Sequence, residues 1–134
     1  MEWLEKYFRV EPIDREILGD PEGAIIRHGG AILYALHGDE VVGTVALKHQ
    51  GDQVFELTKM AVTSAHQGRG LGRRLLWAAV RRYTELQGKT LYLESHSSLA
   101  PALRLYESAG FRHETPPRPS DYERADVYMV YRKA

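Results

Sequence analysis

Cysteine, net charge and long apolar runs are all missing from this chain of 134 residues, and each absence excludes a class of protein. Without cysteine there is no disulfide framework, thiolate nucleophile or cysteine-based zinc site. No window approaches 18 consecutive apolar residues, so we expect no membrane-spanning helix. Basic and acidic residues number 18 each, which disfavours a nucleic-acid or anionic-membrane binder. The N-terminus lacks the regions of a secretory signal, so we expect a cytoplasmic protein.

The composition that is present indicates one globular domain spanning residues 1–134. A hydrophobic fraction of 43% with zero net charge is unlike the composition of disordered chains. A chain of this length can bury roughly two-thirds of the surface that it exposes when unfolded. No repeat, low-complexity tract or linker divides it.

The spacing of apolar residues predicts an α+β (mixed α/β) fold with one central sheet. Two brief helices are expected near the N-terminus, over residues 3–8 and 14–18. Tight turns join the next three strand-like runs, which predicts an antiparallel meander. Strand, helix and strand then follow in order, so the strands around residues 57 and 93 should be parallel neighbours. We predict strands at 31–36, 41–47, 54–62, 91–95, 112–115 and 125–131, and helices at 70–87 and 101–109.

A glycine-rich turn, Gln67 to Gly72, joins the third of these strands to the first long helix. Backbone N–H groups at a helix N-terminus can bind a phosphate, and glycine lets the backbone approach it closely. Arg69 and Arg73 add local positive charge. The P-loop pattern fails because no Lys-Ser or Lys-Thr pair follows, and Arg73 replaces the third glycine of the dinucleotide pattern. A turn that only joins strand to helix is the structural alternative.

Two segments, in this order, resemble the signatures of the GCN5-related N-acetyltransferases, the GNAT family. Gln67-x-x-Gly70-x-Gly72 is similar to the family pattern R/Q-x-x-G-x-G/A, whose loop binds the pyrophosphate of acetyl-CoA. Residues 105–111, reading LYESAGF, are similar to the second signature, L-Y-x-x-x-G-F. The resemblance covers about residues 24–131. It implies a mixed, largely antiparallel sheet that splays between two parallel strands and is flanked by helices.

The resemblance implies an enzyme that moves an acetyl group from acetyl-CoA, its cosubstrate, to a primary amine. Since no cysteine can carry the acyl group, we expect direct attack in a ternary complex. The 6 histidines show no paired ligand spacing, so no metal is expected. In the family, backbone on the strand before the loop holds the pantetheine arm. The residues implied to bind acetyl-CoA are Met60, Ala61, Val62, Gln67, Gly68, Arg69, Gly70, Leu71, Gly72 and Arg73.

The resemblance makes Tyr106 the general acid that protonates the departing CoA sulfur. The structural alternative is a buried aromatic ring that holds helix to sheet, which is the commoner role of tyrosine. Position within the second signature favours the catalytic role.

Glu56 is the candidate general base. It lies 11 positions before Gln67, where many relatives place a glutamate on this strand. Strict alternation would place Glu56 on one face of the strand together with Thr58, Met60 and Val62. Alternatively, Glu56 pairs with a cation or faces solvent.

In the family the splayed strands admit the cofactor, which would place Ser95 and His96 beside the acceptor. His96 has the pKa range for proton transfer, but it could equally be an exposed loop residue. Tyr122, before the last strand, is a further candidate contact. We expect a small-molecule or amino-acid-like amine as the partner, with no nucleic acid or membrane. A catalytically silent acyl-CoA sensor and an enzyme acting on a protein amine remain alternatives.

One departure from the family concerns the N-terminus. Most members begin with a strand, whereas this chain starts near the first helix, so the first strand is expected to be missing. An uncovered sheet edge invites association with another chain. A homodimer that covers this edge is therefore a possible partner arrangement.

Overall fold

The computed structural model describes residues 8–12, 25–26, 28–68, 70–118 and 125–132. These residues form seven strands, two helices and a 3₁₀ turn at Ser64–His66. The elements are β1 (Phe8–Pro12), β2 (Ala31–His37), β3 (Glu40–His49), β4 (Val54–Val62), α1 (Leu71–Glu85), β5 (Thr90–Ser95), α2 (Ala100–Ser108), β6 (Phe111–His113) and β7 (Val127–Tyr131). The helices expected over 3–8 and 14–18 lie outside the described residues, apart from Phe8 in β1.

All seven strands join one sheet in the order β1-β2-β3-β4-β5-β7-β6. Every neighbouring pair is antiparallel except β4 and β5, which are parallel. The parallel pairing ends at Glu56 opposite Tyr92, although β4 continues to Val62 and β5 to Ser95. The two strands therefore splay beyond this point. This confirms the predicted α+β fold, its antiparallel meander and its parallel central pair.

The expectation that the first strand is missing is wrong. β1 pairs antiparallel with β2, from Phe8 opposite His37 to Pro12 opposite Leu33. The apolar spacing over residues 3–8 favours a helix that would include Phe8. The alternation of Phe8 and Val10 with charged residues, which is typical of a strand, therefore went unrecognised. Proline can end such a strand because a proline on an edge strand costs no ladder hydrogen bond. The homodimer was expected because β2 would be an uncovered edge strand. Since β1 of the same chain pairs with β2, this reason for expecting a homodimer no longer holds.

A β-bulge interrupts β4 in its second half. Thr58 lies opposite Ala46 on β3 and Ala61 opposite Thr44, so two residues of β4 oppose one residue of β3 between these pairs. Lys59, one of the two, has a φ of 55°, in the left-handed region that non-glycine residues rarely adopt. A bulge of this kind shifts the alternation by one residue.

The bulge changes which side chains of β4 share a face. Met60 and Val62 pack against the main core, to which the buried Leu57 also belongs. Glu56 lies on the opposite face. The expectation that strict alternation places Met60 and Val62 on the face of Glu56 is therefore wrong, because it did not anticipate the extra residue.

Helix α1 supplies the main cover of one sheet face. Its buried residues recur at helical spacing, and burial of each large apolar side chain stabilises the fold by about 1.5–3 kcal/mol. They pack against the buried side chains of β2 to β5. Neither helix in the described part of the chain is long and apolar enough to cross a membrane. The buried face of α1 consists of Leu71, Leu75, Leu76, Ala79 and Tyr83.

Candidate active site

The glycine-rich turn presents backbone N–H groups at the start of α1 that have no acceptor within the helix. Gly68 and Gly70 have φ values of 78° and 79°, a conformation that glycine adopts without strain. A Cβ atom at either position would have nothing within 4 Å, so both glycines face open space. The first bond of the helix, from Arg74 N–H to Gly70 C=O, is 3.1 Å long. The N–H groups of Leu71, Gly72 and Arg73 precede it and have no acceptor within the helix.

Gln67, the first residue of the turn, fixes the turn to the end of β4. Its Nε2 atom donates a hydrogen bond of 3.0 Å to the carbonyl oxygen of Val62. The N–H of Thr63 donates to the carbonyl oxygen of Val42 at 2.9 Å, so the same strand end is also tied to β3. The side chain of Gln67 therefore has a positioning role.

A groove of about 490 Å³ opens from this turn, on the α1 face of the sheet. It passes the end of β4, where β5 no longer pairs, and reaches the first turns of α2. Its glycine edge and the backbone N–H groups of α1 suit a ligand with a diphosphate group, as in acetyl-CoA, and its volume lies in the usual range of ligand sites. The lining residues are Met60, Ala61, Val62, His66, Gln67, Gly68, Gly70, Leu71, Gly72, Arg73, Pro101, Ala102, Leu105 and Tyr106.

The structure thus brings together nine of the ten residues expected to bind acetyl-CoA, and their role in binding stays a prediction. Arg69 lies outside the described residues. The signals that identify the groove residues, a strand end and a glycine turn, are both local. Pro101, Ala102 and Leu105 were not expected in the groove, because they reach it through the packing of α2.

Tyr106 lies on α2 and lines the groove. Its ring packs edge-on against Phe111 with a centroid distance of 6.1 Å, and burial raises its pKa above 10.0. The phenol therefore stays protonated at neutral pH. The ring packs on Phe111 of the sheet, as expected for a structural aromatic, and it also lines the groove, as expected for a general acid. The structure is therefore compatible with both interpretations of Tyr106.

Glu56 is buried at the last position where β4 pairs with β5. Only 3% of it is exposed, and Gln50 Nε2 donates a hydrogen bond of 3.1 Å to its Oε1 atom. The same amide lies 3.2 Å from the Oη atom of Tyr92. The alternative of a solvent-facing Glu56 is therefore wrong, because the side chain lies inside the sheet layer.

A second pocket, of about 400 Å³, lies over β5 and β7. No sequence motif predicted this pocket, although the alternation of Tyr92 and Glu94 with apolar residues on β5 was a usable signal. Burial raises the pKa of Tyr92 to about 12, and the nearby charge of Glu56 adds to the shift. The lining residues are Gln50, Gly51, Asp52, Val54, Thr90, Tyr92, Glu94, Pro116, Pro117, Arg118 and Tyr128.

The three residues expected to contact the acceptor, Ser95, His96 and Tyr122, do not line either pocket as far as the structure describes them. Ser95 ends β5, where its carbonyl oxygen accepts a hydrogen bond from Asp126 N–H at 3.1 Å. His96 Nδ1 accepts a hydrogen bond of 3.0 Å from Ser98 N–H, which orders the loop. Neither Ser95 nor His96 is among the residues lining the two pockets described above. Tyr122 lies outside the described residues.

Metal-ligating side chains do not cluster in the part of the chain that the structure describes. Within the described ranges, no group of three or more His, Cys, Asp or Glu side chains could hold a metal ion.

Comparison with curated proteins finds acetyltransferases. The chain is 34% identical over 103 residues to a mycothiol acetyltransferase of Acidothermus cellulolyticus, covering 70% of this chain and 31% of that protein. It is 36% identical over 91 residues to the N-acetylaspartate synthetase of Homo sapiens, covering 63% and 28%. The chain therefore spans less than a third of the length of either relative.

Solved structures and a family profile agree with the fold. A GNAT-family acetyltransferase of Staphylococcus aureus Mu50 superposes with a TM-score of 0.77 at 17% identity, covering 92% of this chain and 98% of that one. A Bacillus subtilis acetyltransferase in complex with CoA gives 0.71 at 22% identity, covering 95% and 99%. The profile of the Acetyltransferase (GNAT) family matches residues 1–111. The chain, with its splayed parallel strands and glycine turn, therefore belongs to the GNAT family of acetyltransferases.

Proposed function

We propose that this chain is an acetyl-CoA-dependent N-acetyltransferase that acts on a primary amine by direct attack in a ternary complex. The observation that carries the proposal is the groove between the unpaired end of β4 and α2, which begins at the N–H groups of α1. Acetyl-CoA, when bound, supplies the activated acetyl group as a thioester. The acceptor that we favour is a small-molecule or amino-acid-like amine.

The start of α1 binds the diphosphate of the cosubstrate in this proposal. The N–H groups of Leu71, Gly72 and Arg73 donate to phosphate oxygens, and the helix dipole adds a partial positive charge of about half a unit. Gly68 and Gly70 leave the approach open because neither carries a side chain. The exposed Arg73 adds a full positive charge to the edge of the groove.

Glu56 acts as the general base. An alkyl ammonium with a pKa of about 10.4 must lose its proton before attack, which costs about 4–5 kcal/mol at neutral pH. A buried carboxylate at the point where β4 and β5 separate can accept this proton, directly or through water. Gln50 holds the carboxylate in place through the bond to Oε1.

Tyr106 donates the proton that the departing thiolate needs. Its raised pKa keeps the phenol protonated over the neutral range, so it is available as a donor whenever the cosubstrate is bound. Its position in the groove, rather than in the second pocket, is consistent with a role near the sulfur atom.

The substitution Tyr106→Phe tests the proposed chemistry. It removes the phenolic proton and keeps the aromatic ring that packs on Phe111, so we expect kcat for amine acetylation to fall about 10²-fold or more. The Kd for acetyl-CoA, measured by calorimetry, should change less than about threefold. Loss of affinity equal to the loss of turnover would favour a packing role. Saturable acetyl-CoA binding without acetylation of any amine in a broad panel would favour the acyl-CoA sensor.

A further inference from the structure

We propose that the second pocket, over Tyr92 and Tyr128, is the acceptor site and takes an amine that carries a second positive charge. This inference rests on the proposed acetyltransferase function and narrows its substrate class. Three features carry the inference: the face of the sheet that the pocket occupies, its link to Glu56, and the character of its walls.

The pocket and the cofactor groove lie on opposite faces of the sheet. Leu91 and Leu93 are fully buried in the core beneath α1, and Tyr92 alternates with them on β5. Glu56 lies opposite Tyr92 in the parallel register and likewise alternates with core residues. An amine in the pocket therefore approaches from the side opposite the cosubstrate, and the two can meet only where β4 and β5 separate.

Gln50 links this pocket to the proposed base. It lines the pocket, and its Nε2 atom contacts both Glu56 Oε1 at 3.1 Å and Tyr92 Oη at 3.2 Å. Its backbone is fixed as well, because Gln50 N–H donates to the carbonyl oxygen of Val54 at 2.8 Å. The buried carboxylate is thus held one side chain away from the pocket wall.

The walls combine aromatic rings with an excess of negative charge. Tyr92 and Tyr128 stack with centroids 5.5 Å apart and an interplanar angle of 30°, which makes a continuous aromatic surface. Among the described residues that line the pocket, Asp52 and Glu94 supply two carboxylates and Arg118 supplies one guanidinium. Aromatic faces and carboxylates both attract ammonium groups. A second cationic group on the acceptor can bind here while its reacting amine points towards Glu56.

Three amines of equal chain length test the inference: 1,4-diaminobutane, 1-aminobutane and 4-aminobutanoate. With acetyl-CoA saturating, we expect kcat/KM to be about tenfold higher for the diamine than for the monoamine. The amino acid should react more slowly than either, because the wall carboxylates repel its own. A preference for 4-aminobutanoate would overturn the inference and indicate that Arg118 binds a carboxylate. Equal values for all three would overturn it too.

A binding measurement separates this inference from the proposed function. We expect 1,4-diaminobutane to bind saturably in calorimetric titrations of the chain with and without CoA, and 1-aminobutane to bind more weakly. Glu94→Gln should weaken diamine binding about threefold or more, and Glu40→Gln, at the exposed start of β3, is the matched control. If Glu94→Gln leaves the Kd for the diamine unchanged, the pocket is not the acceptor site, even if acetyl-CoA binds. Failure of acetyl-CoA to bind would refute the proposed function whatever the diamine does.

Discussion

Substitution of Gly70 by alanine tests the structure of the proposed phosphate-binding turn. Gly70 has a φ of 79° and a ψ of 7°, the left-handed region, directly before α1. The left-handed conformation costs an L-residue about 1–2 kcal/mol in the folded state. Alanine also lowers the conformational entropy of the unfolded chain, which offsets part of this cost. Since nothing lies within 4 Å of the new Cβ atom, no clash or contact alters this balance. We expect Gly70→Ala to lower the free energy of unfolding by about 1 kcal/mol.

Gly72→Ala is the matched control for this prediction. Gly72 is helical, and its Cβ atom would lie 3.4 Å from Leu105 Cδ2 and from Met60 Cε, an ordinary contact distance. Alanine has the higher helix propensity, so the free energy of unfolding should stay equal or rise by up to about 1 kcal/mol. The methyl group would narrow the groove between two of its lining residues and so raise the Kd for acetyl-CoA.

Urea unfolding of the two variants gives the comparison, with the same slope expected for both. The melting temperature of Gly70→Ala should fall by roughly 3–6 °C. Equal destabilisation by the two substitutions would contradict a backbone origin of the effect, since only Gly70 of these two glycines has a left-handed conformation. A Gly72→Ala variant that binds acetyl-CoA as tightly as the unaltered chain would contradict binding in the groove.

Two further predictions concern carboxylates. Glu56→Gln removes the proposed base, so kcat should fall about 10²–10⁴-fold. Because glutamine has nearly the same volume, the Kd for acetyl-CoA should stay nearly unchanged. A kcat within a few-fold of that of the unaltered chain would exclude Glu56 as the base. Asp126 accepts hydrogen bonds from Ser97 Oγ and N–H, and these lower its pKa below 3.8. Its stabilising effect is therefore present above pH 3.8 and is lost as the pH falls through the lower folded value. Asp126→Asn should melt below the unaltered chain at pH 7, with the difference closing at acid pH; a difference that persists there would contradict this origin.

Most of the fold could be predicted from the sequence because local signals agree with one another. Turns that contain glycine separate the strands of the meander, and the helix that follows Gly70 has a clear apolar stripe. Its observed end at Glu85 falls two residues short of the predicted end. The parallel pairing of β4 and β5 could also be predicted, because a strand–helix–strand order favours it.

The missed features depend on interactions that a single strand does not encode. β1 becomes recognisable only through its pairing with β2, and the bulge at Lys59 only through the shifted register with β3. The bulge matters for the candidate site, since it turns Met60 towards α1 and leaves Glu56 on the other face. Gln50 lies in a turn without any motif, so only the folded chain reveals its contacts with Glu56 and Tyr92.

Whether the chain has an acetyl-CoA site can be decided by calorimetric titration of the purified chain with acetyl-CoA, with ATP and NAD as control ligands. We expect saturable one-to-one binding of acetyl-CoA that is weakened by Gly72→Ala, and no comparable binding of either control. Absence of acetyl-CoA binding by the folded chain, or equal binding of all three ligands, would contradict this expectation. The glycine turn would then serve only to join β4 to α1.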